Sequence, residues 1–138
     1  MTDPIGALVA YLKVDTAVAT LASTRIYGAE LPKSEIENAS NPRAIVVVKQ
    51  AGGGMLGLAY QQYGDIRADV ACYGSTPFNA SALYGAVYDA LKELRREVYA
   101  STLLHWAQSS ARGTQGRDPD LDWPVVFSSW QVLAAETS

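Results

Sequence analysis

The 138-residue chain is 49% hydrophobic and 18% charged, with a net charge of −3 and a pI near 5.0. That length is one domain's worth, enough to bury roughly 68% of the surface the unfolded chain exposes without covalent staples. An acidic balance without a basic stripe excludes a reader of nucleic-acid sequence, and no apolar window approaches the about 18 residues of a membrane span.

No basic region leads into an apolar stretch at the N-terminus, so no signal peptide is expected and the protein should stay where it is made. The single cysteine, Cys72, forbids an internal disulfide. The modest charge content points to surface kept for protein contacts. The sequons Asn38-Ala39-Ser40 and Asn79-Ala80-Ser81 carry no meaning without secretion.

Asp3-Pro4 is a helix start, followed by Ile5, Leu8, Val9 and Leu12 on one apolar face. Asp15 recaps a continuation through Leu21, with Val14, Val18 and Leu21 expected inward. Arg25-Ile26-Tyr27, closed by Gly28, reads as a short edge strand. Residues 29 to 41 form a polar surface connection.

The stretch from Pro42 to Tyr73 organises the chain as one long hairpin. Its first arm, Ala44-Ile45-Val46-Val47-Val48, is β-branched. In its second arm Ile66, Ala68, Val70 and Cys72 alternate with Asp65, Arg67, Asp69 and Ala71, the period of a strand with one buried face. Fourteen residues, Ala51 to Gly64, lie between the arms and are rich in glycine and apolar side chains. If residues 49 to 63 extend both arms, the tip projects about 23 Å from the body. A neighbouring subunit could cover the exposed edges of such an arm.

Ser75-Thr76-Pro77 opens a helix running to about Arg96, with Leu83, Ala86, Val87, Ala90, Leu91 and Leu94 as its buried stripe. Tyr84 and Tyr88 flank it one turn apart, as core rims or as a subunit interface. Lys92, Arg95 and Arg96 suit the negative end of the helix dipole. Residues 103–107 read as a strand and 108 to 122 as a loop, whose Arg112, Arg117, Asp118, Asp120 and Asp122 are candidates to face a partner. The last strand runs from Pro124 to Ala134, with Val126, Trp130, Val132 and Ala134 on one face and Phe127, Ser129, Gln131 and Leu133 on the other. The predicted fold is α+β: a mostly antiparallel sheet with two helices packed on one face and a long protruding β-hairpin, in one domain over residues 1–138.

Gly52-Gly53-Gly54-Met55-Leu56-Gly57 spells G-x-G-x-x-G after a strand, but a dinucleotide site needs a helix to open within it, and only six residues separate Gly57 from Gly64. Asp118, Asp120 and Asp122 imitate the start of a calcium loop, yet Trp123 occupies its glycine position and Ser129 its glutamate position. His105 is the lone histidine, so no multi-imidazole zinc site can form, and there is no G-x-S-x-G elbow to make it a catalytic base. Arg67 lies between Asp65 and Asp69 on one strand face and favours their ionised forms, the opposite of what a general acid needs. No enzyme activity, cofactor or metal is expected.

In order and content, Asp3-Pro4-Ile5-Gly6-Ala7-Leu8, Arg25-Ile26-Tyr27-Gly28, Pro42-Arg43-Ala44-Ile45-Val46-Val47, the run Asp65 to Gly74, the Pro77 helix and Ser129-Trp130-Gln131-Val132 resemble the tail-completion (tail terminator) family of long-tailed bacteriophages and phage-derived gene transfer agents. The resemblance covers nearly the whole chain, and its strength is the order of the blocks. It implies a homo-hexameric ring at the head-proximal end of the tail tube, with the tube protein and the neck (stopper) protein as partners and DNA passing through the lumen unbound. By the same resemblance the hairpin, with Lys49, Gln50, Gly52, Gly53, Gly54, Met55, Leu56, Leu58, Tyr60, Gln61, Gln62 and Tyr63, faces the lumen or the tube. The implied location is the virion tail, after assembly in the host cytoplasm. The alternative from a different class is a small-ligand or nucleotide-binding module using the Gly52 to Gly57 loop.

Overall fold

The computed structural model describes residues 4–38, 42–55, 63–99 and 102–136. Asp3, residues 39–41 and the hairpin residues Leu56, Leu58, Tyr60, Gln61 and Gln62 lie outside them.

Helices α1 (Pro4–Val14) and α2 (Thr16–Ala22) meet at 87°. Asp15 makes the break: its backbone is extended, and its carboxylate accepts a bond from the Val18 amide at 3.1 Å, capping the second helix. The bend also corrects the expected stripe. Val14 and Leu21 are 65% and 41% exposed, because a helical period carried across a right-angled turn no longer tracks one face; Val18 is buried as expected, and Ala22 joins it.

Six strands among the described residues form one sheet in the order β1 (Ile26–Gly28), β2 (Ile45–Met55), β3 (Tyr63–Tyr73), β6 (Pro124–Glu136), β5 (Thr102–Arg117), β4 (Glu97–Tyr99). Only β1 and β2 run parallel, so the sheet is mixed while mostly antiparallel. One face carries Val46, Val48, Ala68, Val70, Cys72, Trp130 and Val132, all buried against Leu8, Leu12, Val18, Leu83, Val87 and Leu91 of the helices. The other face holds a smaller cluster of Ile45, Val47, Tyr73, Trp123 and Val125. The first arm of the hairpin is therefore buried on both sides, which is why its sequence is a continuous apolar run without alternation.

Helix α3 (Lys33–Ile36) lies within the expected polar connection and places Glu35 at 6% exposure. The acid is tolerated there because Arg43 and Tyr27 bond to it. Helix α4 spans Pro77–Lys92 and starts as expected, with the Thr76 hydroxyl accepting from the Asn79 amide at 3.1 Å. It ends four residues before Arg96. Arg95 folds back to donate to the Lys92 and Leu94 carbonyls, which the helix end leaves without internal donors.

The loop expected over residues 108 to 122 is the largest correction. Strand β5 continues to Arg117 and pairs with β6 as far as Arg117–Pro124, so Arg112 and Arg117 are strand residues. Three register shifts, between Leu104 and Trp106, Ser109 and Ala111, and Ala111 and Thr114, interrupt the pairing. Each such irregularity resets the alternation of faces, so backbone bonds to β6 hold a strand that has no period-two signature.

Candidate functional site

The hairpin sits within the sheet as well as projecting from it. Strand β3 is flanked by β6 along its whole length, from Tyr63–Ala135 to Tyr73–Val125. On the other side β1 ends at Gly28–Val48, so from Lys49 to Met55 no described strand covers the outer edge of β2. Lys49 and Gln50 are exposed and border an open groove of about 540 Å³ with Ile5, Gly6, Gly28 and Ala29. The register shifts between Gln50 and Gly53, after which Gly53, Gly54 and Met55 pair with Ile66, Asp65 and Gly64. Gly52 to Gly54 are thus strand positions, and no helix opens on them to meet a pyrophosphate.

Tyr84 and Tyr88 lie along one edge, Tyr84 half-buried and Tyr88 exposed. The Tyr84 hydroxyl accepts from the Gly113 amide at 3.2 Å, and the Tyr88 ring lies 5.4 Å from that of Trp130 and 6.0 Å from that of Tyr84. With Gly85, Asp89, Ser109 and Gly113 they border a second groove, of about 510 Å³, between α4 and β5.

The Asp118–Asp122 turn is closed from within. One Asp118 oxygen accepts from the Asp120 and Leu121 amides at 2.9 and 3.1 Å, and the other accepts from the Tyr73 hydroxyl at 2.9 Å. Partial burial pulls the Asp118 carboxyl upward, but these three donors outweigh it and hold it below the usual carboxylate value. Burial first, and then the bond to Asp118, push the Tyr73 phenol up. Arg117 donates to the Asp122 carbonyl at 2.7 Å, while Asp120 and Asp122 face solvent. No group of three or more His, Cys, Asp or Glu side chains among the described residues is arranged to hold a metal.

His105 lies half-buried in β5, its carbonyl accepting from the Arg96 amide. Cys72 is fully buried, which pushes its thiol up to about 12 and leaves it inert. Asp69 accepts from the Ser129 hydroxyl across β3 and β6 at 2.8 Å, on the solvent side of the sheet. Sequence reasoning missed the α4 groove, although a glycine in mid-helix beside two tyrosines is a signal of one.

No family model matches the chain, and no curated protein matches it. Among solved structures, a chain of the "Virion of native gene transfer agent (GTA) particle" superposes with a TM-score of 0.67 at 16% identity, covering 94% of this chain and 92% of that one. The two share a fold over that length.

Proposed function

We propose that the protein is a structural, non-enzymatic component of a phage-like particle: a ring at the head-proximal end of the tail tube that stops tube polymerisation and offers the neck a docking surface. The observation that carries the reading is the fold shared with a gene transfer agent virion chain over 94% of the sequence. The order of sequence blocks that resembles tail terminators supports it independently.

A closed ring of identical subunits joins two unlike patches on each subunit. Two candidate patches lie at opposite ends of the sheet. At one end, the outer edge of β2 that no described strand covers adjoins Lys49 and Gln50; at the other, β5 carries Arg112 and Arg117. The hairpin tip would face the lumen or the tube, and a net charge of −3 suits a channel that DNA crosses without sticking.

The test is the mass in solution by light scattering or native mass spectrometry, with and without purified tail tubes. A hexamer, or a monomer that closes into a ring on tube ends, is expected. A monomer indifferent to tubes would sink the proposal.

A further inference from the structure

Helix α4 has an outward face that packing within the chain does not explain. Gly85 stands in the middle of this sixteen-residue helix, where glycine disfavours the helix relative to alanine. A Cβ built there meets nothing within 4 Å, so no neighbour among the described residues requires the glycine. What its absent side chain creates is the groove of about 510 Å³ beside Tyr84 and Tyr88. Phe78, seven residues earlier, is 81% exposed, an aromatic ring with no cover. Positions 78, 82, 85 and 89 follow the i, i+4, i+7, i+11 spacing of a single helix face, and all four are exposed. A knob and a hole thus share one stripe, about 10 Å apart along the axis.

We propose that this face is a two-fold contact between two copies of the chain. The α4 helices pack antiparallel, and the Phe78 ring of each fills the Gly85 groove of the other. Two features of the stripe complement themselves under that symmetry. Phe78 falls opposite Gly85 when the axis passes between positions 81 and 82, and the side chains there, Ser81 and Ala82, are small enough for close approach. The contact joins like patches, whereas ring closure joins unlike ones, so it goes beyond the proposed function: it pairs free subunits or two rings.

Ala82→Cys tests it, because the only native cysteine, Cys72, is fully buried. Under mild oxidation a cysteine at 82 should form a disulfide-linked dimer, whereas Lys92→Cys, whose two copies would stand about 30 Å apart, should not. Phe78→Ser and Gly85→Leu should each weaken dimerisation at least roughly thirtyfold in sedimentation, as loss of an aromatic anchor does. Gly85→Leu should do so with an unchanged or raised melting temperature. Absence of the cross-link at 82, or dimerisation undiminished in both groove variants, overturns the proposal. Rings forming on tubes without that cross-link would refute the two-fold contact and leave the ring reading standing; the cross-link without rings would do the reverse.

Discussion

Glu35 is buried on a short helix, and its carboxylate survives there by taking the Tyr27 hydroxyl at 3.0 Å and two guanidinium bonds from Arg43 at 3.0 and 3.1 Å. Removing the cation alone leaves a buried charge stripped of both guanidinium bonds. Arg43→Met should therefore lower stability by about 3 kcal/mol in urea unfolding, while Glu35→Leu combined with Arg43→Met recovers most of the loss. If the double variant is no better than the single, the pair is not what holds this corner.

Titration divides the same scale by pH. Asp118 is held below its ordinary value of 3.8, so its contribution is present above that pH and is lost as pH falls through the lower folded value. Cys72 and Tyr73 are raised from 9.0 and 10.0, so their contribution is complete below pH 9 and is lost as pH rises. A profile of unfolding stability should show a plateau between these limits. Tyr73→Phe should shrink the acid limb, and Cys72→Ala should flatten the decline that starts near pH 9. An alkaline limb unchanged by Cys72→Ala would show that the thiol is not what destabilises the fold there.

Among the elements, those that were legible in the sequence carry their own punctuation. Helix α4 announces itself by Thr76 and Pro77, and α2 by Asp15; strand β3 does so by the alternation of Ile66, Ala68, Val70 and Cys72. Strand β5 has no such mark. Its residues Gln108, Thr114 and Gln115 face solvent, and its pairing partner is β6, which sequence alone does not supply at that distance. The buried Glu35 was equally hidden, since the Arg43 that satisfies it lies eight residues away across residues that read as loop. The candidate site divides the same way: the hairpin was visible as composition, whereas the α4 groove needs β5 beside the helix as well as Gly85 on it.

That contact is specific. A Cβ at Gly113 would come within 2.7 and 2.8 Å of the Tyr84 ring and 2.9 Å of Val126. Gly113→Ala should push α4 off β5 and cost about 1–3 kcal/mol, read by thermal unfolding. A neutral result would mean that the tyrosine swings away freely and does not tie the helix to the strand.

At the scale of the whole molecule the argument turns on how the sheet ends. On the helix side Trp130, Leu83 and Val48 belong to one continuous core, which Ile66 of the hairpin joins. Beyond Gly53–Ile66 the hairpin adds paired backbone, and the outer edge of β2 stays uncovered by any described strand. An uncovered edge contributes little to a lone subunit and is a template for pairing in an assembly. Replacing residues 54–65 by Asn-Gly, the sequence of a two-residue hairpin turn, should therefore preserve the fold. Some stability should be lost, because Tyr63–Asp65 also pair with Leu133–Ala135 of β6. The shortened protein should melt cooperatively, form no rings in sedimentation and fail to cap tubes, which would then grow past their normal length in electron micrographs. If it still closed rings and fixed tube length, the hairpin would not be the assembly element, and the subunit contacts would have to lie on the body of the sheet.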